Sequence, residues 1–406
     1  MPTILQISVD GNAGSTGRMA EAIGTLSIRR GWVSYIAYAR FARPSESKII
    51  KIGTRLDIFL HGLQTRFFDR HGLGSKKATV KLVQQIKAIK PDVIHLHHLH
   101  GYYINIEVLF DFLSKNSIPV IWTFHDCWSV TGHCAHFDFV GCEKWKTECN
   151  HCPQKREYPA SFLLDRSRNN FILKKELFTS VPNMVVVSVS KWLNGIVRDS
   201  FMGNIPRQVI YNGVDVDIFT PTANCKEVKG NFIKRDGFMI LGVASPWGKR
   251  KGLSDFIKLS KRINKTDFIV LVGLSKAQIK ELPSNIIGIM RTENQQQLSD
   301  LYATADVFLN LSVEETFGLT TAEALSCGTP AVVYDATACP EVIDNNTGIV
   351  VKKNDINGLL VAIETIKENG KALYSAACRK RALENFNKKD RYAEYINLYD
   401  RMITTK

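Results

Sequence analysis

The feature that most restricts how this chain can fold is an alternation. Short unbroken apolar runs are each followed by a segment with apolar residues at helical spacing. TILQISV is followed by GRMAEAIGTLSIRRG, with Gly31 as a C-terminal stop, and VSYIAYA, PDVIHLHHL, IPVIWTFHD and NMVVVSVS continue the series. Runs that are apolar at nearly every position suit strands covered on both faces. Strands alternating with helices predict a doubly wound parallel sheet. The alternation restarts with GFMILGVAS, GLSDFIKLSKRINK, DFIVLVG, QQQLSDLYATA, DVFLNLS, GLTTAEALSCG and PAVVYD. A second α/β domain is therefore expected. Between the two blocks, VDVDIFTPTANCKEVKGNFIKRDG has poor periodicity and many turn formers, which places a linker at 217–236. The first domain then spans 1–216 and the second 237–385. Two such domains are expected to face each other across a cleft. Ligands of open α/β sheets bind beyond the carboxyl ends of strands, so motifs on strand-to-helix loops count most.

Composition narrows the partners. No run of 18 apolar residues occurs, so no spanning helix is expected. The N-terminus MPTILQISVDGNAG lacks a basic region and a long apolar core and reads as a first strand rather than a signal peptide, which predicts a cytoplasmic protein. The formal net charge is +14, and Met1–His100 holds 15 Lys and Arg against 6 Asp and Glu. Such a bias points to an anionic partner (nucleic acid, acidic lipid or a phosphorylated substrate) or to a basic surface without one.

Several motifs sit where the alternation places ligand loops. The first loop, VDGNAGSTGR, carries Gly11, Gly14 and Gly17 and then Arg18. It is either a structural turn or a loop whose N–H groups meet an anion or a sugar hydroxyl. TFHD ends a strand at His125 and Asp126, a pair placed for binding or, in the plainer reading, a helix cap with a bonded histidine. HLHHLHGYY holds His95, His97, His98 and His100, with His95 and His97 on one strand face. No carboxylate accompanies them in sequence, and a polar strand end is favoured over a metal site.

Cys134, Cys142, Cys149 and Cys152 follow the spacing C-x7-C-x6-C-x2-C. In a reducing compartment such a cluster suits a structural zinc that staples the loop 134–152, with reduced or paired thiols as the alternative. Four thiolates leave no open position, so no catalytic role follows.

In the second block, Lys249, Arg250 and Lys251 crowd between Gly248 and Gly252 in GVASPWGKRKG, where cations can neutralise a diphosphate. VEETFGLTTAEALSCGTPAVV carries Glu315 in a loop and Glu323 within a helix that begins after Gly318. A helix N-terminus suited to phosphate lies between the two glutamates. The two glutamates are an acid/base pair, two holds on one ligand or the solvated ends of a helix, and a carboxylate beside such a terminus can bond sugar or ribose hydroxyls.

These motifs together resemble the retaining, nucleotide-sugar-dependent glycosyltransferases of the GT-B fold, family 4. The carrying residues are the E-x7-E pair Glu315 and Glu323, SVSKWL, YNGVDVDIF and the KG of Lys251-Gly252. GSTGR, HLHHLHGYY, HDCWSVTGHC and the four-cysteine loop are similar to bacterial colanic-acid and other surface-polysaccharide transferases. The resemblance covers nearly the whole chain. It implies two Rossmann-like domains, acceptor-binding and nucleotide-sugar-binding, with a final helix at 386–406, DRYAEYINLYDRM, crossing back to the first domain.

The resemblance also implies roles. Glu315 faces the donor sugar's hydroxyls and Glu323 holds the ribose. Gly318 and Leu319 offer N–H groups to the diphosphate, which Lys251 binds by charge. His125 sits near the reacting centre. The loop around Gly14 and Arg18 closes over donor and acceptor. Relatives carry an arginine six residues before the lysine of KG; here that position is Ser245, with Lys249 or Arg250 as substitutes.

The implied reaction is hexosyl transfer, with retention by front-face attack, from a nucleotide-sugar to a lipid-linked saccharide acceptor. Capsule, exopolysaccharide or O-antigen lipopolysaccharide would be the product. No DxD motif appears where a nucleotide-bound metal is expected, so no catalytic cofactor is predicted. Nucleic acid is not an expected partner. RLDIFLHGLQTRFFDRHGLGSKK mixes Arg and Lys with Leu and Phe, and either lies on an anionic inner-membrane surface or packs on the sheet. The competing readings are a GT-B nucleotide-sugar epimerase and a non-enzymatic polyanion-binding protein.

Overall fold

The computed structural model describes residues 1–221, 228, 230 and 235–404. Much of the linker read at 217–236, namely 222–227, 229 and 231–234, lies outside the described residues, as do 405–406 of the expected crossover helix. The chain divides into two units. One comprises Met1–Ile210 with Tyr392–Lys406, the other Tyr211–Arg391.

The first unit holds seven strands: β1 (Thr3–Ile7), β2 (Val33–Tyr38), β3 (Lys48–Lys51), β4 (Val93–Leu96), β5 (Val120–Phe124), β6 (Met184–Ser188) and β7 (Arg207–Val209). All pair in parallel, in the order β3-β2-β1-β4-β5-β6-β7. The second holds β8 (Met239–Val243), β9 (Phe268–Val272), β10 (Ile286–Ile289), β11 (Val307–Asn310), β12 (Ala331–Tyr334) and β13 (Gly348–Val351). These are again parallel, in the order β10-β9-β8-β11-β12-β13. Each order reverses once, between β1 and β4 and between β8 and β11. Both units are therefore doubly wound and Rossmann-like.

The inner strands are the unbroken apolar runs of the sequence. β4, β5, β9, β11 and β12 are buried along their whole length. Parallel strands with helical crossovers are covered on both faces, so no polar alternation is needed.

The final helix, Lys388–Thr404, starts in the second unit and completes the core of the first. Tyr392, Tyr395, Ile396, Leu398 and Tyr399 cluster with Ile4, Met19, Ile23, Trp32, Val93, Ile121, Val187 and Ile210. The rings of Trp32 and Tyr399 lie 5.8 Å apart. His95 on β4 is buried in this core with both ring nitrogens bonded, to Tyr399 Oη at 2.6 Å and Thr123 Oγ1 at 2.8 Å. Burial pushes its pKa down to about 3, so the ring is neutral and acts as a core group.

Candidate functional site

In the second unit the loops after β8 and β11 come together at the point where strand order reverses. Lys249–Lys251 form a single 3-10 turn between Gly248 and Gly252. Gly252 has φ +75°, and a Cβ there would lie 2.3 Å from the Leu311 carbonyl oxygen. Only glycine lets the turn close on the end of β11. Val313 N–H then donates to Arg250 O at 2.9 Å, and Arg250 Nη1 donates to Glu314 O at 2.5 Å. Lys251 Nζ pairs with Glu315 Oε1, which also accepts from Ser312 Oγ at 3.0 Å.

Thr337 secures the Glu315 backbone, accepting from its N–H and donating to its carbonyl, both at 2.8 Å. Burial works against charge on Glu315. The Lys251 and Arg250 charges and the hydrogen bonds outweigh it and hold the carboxyl below its usual range. Lys249 is exposed. Of the two substitutes read for the arginine missing at Ser245, Arg250 is the one tied into the loop.

Gly318, at φ +96°, precedes the helix Leu319–Ser326 and offers no side-chain cap. The first N–H groups of that helix, beginning at Leu319, have no acceptor within it. Glu323 lies one turn on, and Tyr302 Oη donates to its Oε2 at 3.0 Å. The unit thus presents, within one loop and one helix, an ion-paired lysine and carboxylate, an uncapped helix N-terminus and a second carboxylate held by a buried tyrosine. This set matches the charge pattern of a sugar joined to a diphosphate and a ribose.

In the first unit the loop after β1 leads into the helix Gly14–Arg29. A Cβ on Gly17 would meet Asp10 O at 2.7 Å, so the helix can lie against its own loop only with glycine there. Gly14 and Arg18 are exposed on this turn. Thr16 Oγ1 reaches His98 Nδ1 at 3.2 Å, which joins the loops after β1 and β4 at the reversal.

His125 follows β5 and is half-buried. Its Nε2 lies 3.4 Å from His97 Nδ1, and its ring packs edge-on against His98 at 4.9 Å. Burial, then His98 and His97, push its pKa well below the usual histidine value, so it is neutral at pH 7. Asp126 accepts from His100 Nε2 at 2.6 Å, lies 3.4 Å from His98 Nε2, and accepts from Trp128 N–H at 2.9 Å. It bonds the first N–H of the turn Trp128–Val130 without being its N-cap residue, which is Cys127. Burial opposes its charge, but His100 and His98 keep its carboxyl well below the usual range.

A carboxylate does accompany these histidines, which the local sequence hides because it arrives from the next strand. His98, His100 and Asp126 place three ligand-type atoms within 4.8 Å of one another. The same contacts are those of a hydrogen-bonded His100–Asp126 pair with His98 packed beside it.

Cys134, Cys142, Cys149 and Cys152 line one small cavity in the same unit, and all four are free thiols. Sequence reading picked out neither Thr337, Ser312 nor Tyr302. Thr337 and Tyr302 reach their glutamates from 22 and 21 residues away, a distance no local pattern spans, whereas Ser312 lies three residues before Glu315.

Comparison with known proteins adds to this geometry. The family Glycosyl transferases group 1 matches residues 237–369, and Glycosyltransferase Family 4 matches residues 28–218. The protein named as the colanic acid biosynthesis glycosyl transferase WcaC of Escherichia coli (strain K12) is 24% identical over 417 residues, covering 98% of this chain and 100% of that protein. The UDP-Gal:alpha-D-GlcNAc-diphosphoundecaprenol alpha-1,3-galactosyltransferase of Escherichia coli is 24% identical, over 52% of this chain and 58% of that protein.

Among solved structures, sucrose-phosphate synthase from Thermosynechococcus elongatus superposes with a TM-score of 0.72 at 18% identity, covering 100% of both chains. Anabaena Alr3699/HepE in complex with UDP gives 0.69 at 14%, covering 99% of this chain and 100% of that one. At such identities the structures speak for the fold, which is GT-B. The families and relatives name glycosyl transfer, which sets aside the epimerase and polyanion-binding alternatives.

Proposed function

Because the chain belongs to the family 4 glycosyltransferases, we propose that it moves a hexose or related sugar from a nucleotide-sugar donor to a saccharide acceptor in bacterial surface-polysaccharide biosynthesis, with retention at the anomeric carbon. The observation that carries this reading is the Lys251–Glu315 pair beside the uncapped Leu319–Ser326 helix, with Glu323 one turn further. Glu315 takes the donor sugar's hydroxyls and Glu323 the ribose. Lys251 and the N–H groups at Gly318 and Leu319 take the diphosphate.

When the bond from the anomeric carbon to the phosphate oxygen breaks, its electron pair leaves with the diphosphate. The added negative charge falls where these donors already point. The acceptor hydroxyl attacks from the same face and passes its proton to the departing phosphate oxygen. His125, neutral and held by its histidine neighbours, is the first unit's candidate for binding a sugar, with Gly14 and Arg18 on the loop that Thr16 joins to His98. This chemistry asks for no catalytic metal.

A donor panel tests the assignment: UDP and GDP sugars incubated with the chain, reading released nucleotide. One donor should turn over well above the rest. Glu323→Ala should raise its KM roughly tenfold to a hundredfold, as expected for a lost charged hydrogen bond. Full turnover and unchanged KM in that variant would count against the clamp.

The acceptor is proposed to be lipid-linked, and the chain to work at an anionic membrane. The helix Arg55–Phe68 supports this. Thr54 and Asp57 cap it reciprocally, so it is well formed. Its buried side carries His61, Gly62 and Thr65, whereas Leu56, Phe59, Leu60, Phe67 and Phe68 are exposed, Leu56 at 64% and Phe59 at 59%. The apolar face is thus turned outward, the reverse of a helix packed on a sheet.

Phe162 N–H and Leu164 N–H donate to Arg66 O and Phe67 O, which extends the exposed patch with Phe162, Leu163 and Leu164. A hollow of about 480 Å³ beside it is lined by Arg70, Lys76 and Arg166. Apolar side chains flanked by cations suit insertion at an anionic lipid interface. Among the described residues no helix is long and apolar enough to cross a membrane.

Sedimentation with vesicles of anionic phospholipid should show binding that weakens with salt. Leu56→Ser and Phe59→Ser should each weaken it roughly tenfold. Equal binding by the double variant would refute this surface.

A further inference from the structure

The segment between His125 and Ser167 is long, and among its described residues it contains no helix beyond three 3-10 turns: Trp128–Val130, Asp138–Val140 and Lys144–Lys146. It is nonetheless buried at Cys134, Ala135, Phe137, Trp145 and Cys149. An irregular segment of this length inside a compact unit calls for something that ties it.

Cys134, Cys142, Cys149 and Cys152 surround a cavity of about 10 Å³, walled also by Phe137 and Trp145, whose rings stack at 5.1 Å. That volume is about the size of a single water or ion.

Two further groups have no account in sugar transfer. His133 lines the same cavity, with its side chain fully buried. Its Nδ1 is bonded to Asp69 Oδ1 at 2.6 Å, while its Nε2 is buried without a partner. Asp69 is fixed in turn by Arg166 N–H at 2.8 Å. Lys174 is fully buried, and its Nζ donates to the carbonyls of Trp128 at 2.8 Å and Thr131 at 3.0 Å, 3.4 Å from the Trp128 ring centre. A lysine so placed needs negative charge nearby to stay charged, and Thr131, whose carbonyl it bonds, lines the same cavity as the four thiols.

We propose that the sulfurs of Cys134, Cys142, Cys149 and Cys152 hold one zinc-type divalent cation, with Lys174 and the Asp69-anchored His133 as its surrounding shell. Binding releases the four thiol protons, and the cation draws the sulfurs in to about 2.3 Å each. The four thiolates and the cation leave a net double negative charge in a dry site. Lys174 offsets part of it, and the unpartnered His133 Nε2 is placed to donate to a thiolate. The tetrahedron is closed, so the ion ties the loop that follows His125 and Asp126 and takes no part in bond breaking.

The test uses the whole chain purified under reducing conditions. Elemental analysis should find one zinc per chain. A strong chelator should remove it and lower the melting temperature. Cobalt(II) should then restore melting and produce thiolate-to-cobalt charge-transfer absorption together with tetrahedral d–d bands. The paired change Cys149→Ser and Cys152→Ser should abolish zinc retention. Lys174→Met should weaken retention against a competing chelator roughly tenfold or more, and Lys174→Arg should keep it. A chain without zinc that takes up no cobalt and melts unchanged with chelator overturns the proposal, as does recovery of these cysteines as disulfides. If the cysteine variants fail to fold, the cobalt spectrum of the unaltered chain decides alone.

Discussion

Lys251→Ala should lower kcat/KM about a hundredfold to a thousandfold, with most of the loss in kcat. Removing one charge-stabilising donor at a centre where negative charge develops costs about that much, roughly 3–4 kcal/mol of barrier. The loss falls on kcat because the diphosphate carries more charge once the sugar has left than while it is attached. The ion pair with Glu315 sharpens the expectation. Without ligand the two groups neutralise each other and are held in place by Ser312 and Thr337, so neither has to be ordered during the reaction. Lys249→Ala is the control: that side chain is exposed, and its loss should cost far less. Initial-rate kinetics with the preferred donor checks both. Equal losses for the two variants would mean that Lys251 contributes only to a general positive field.

Tyr399→Ala should destabilise the first unit by roughly 4 kcal/mol, within the range for truncating a large buried ring. Tyr399 is fully buried, packs against Trp32, and bonds the buried His95. Truncation leaves a cavity and also an orphaned ring nitrogen, which adds a desolvation cost. For a unit of this size the corresponding fall in melting temperature is roughly 10 °C. Tyr399→Phe keeps the ring and loses only the bond, so about a third of that fall is expected. Calorimetry should show the change in one of two transitions. An unchanged thermogram for the alanine variant would mean that the last helix does not complete this core.

The inner strands could be read from sequence because parallel strands under helices are apolar along their whole length. None of the four edge strands, β3, β7, β10 and β13, is among those apolar runs. They are three or four residues each, and β3, Lys48–Lys51, is mostly exposed. An edge strand has a neighbour on one side only and needs no continuous apolar run.

The candidate site was legible to the same degree. Glu315, Glu323, Lys251 and Gly318 lie in short local patterns, so sequence exposes them. What holds them does not: Thr337 reaches Glu315 from the loop after β12, and Tyr302 reaches Glu323 from the helix Gln295–Thr304. His98 and His100 gained their carboxylate in the same way, from across a strand pair.

The path of the final helix bears on the order in which this protein becomes folded as it is made. Residues 392–404 emerge from the ribosome after all of Tyr211–Arg391. Until then the pocket formed by Ile4, Trp32, Val93 and Ile121 lacks the side chains that fill it. The unit synthesised first is therefore the one finished last, and in the interval its nascent form exposes an apolar surface that chaperones would have reason to shield.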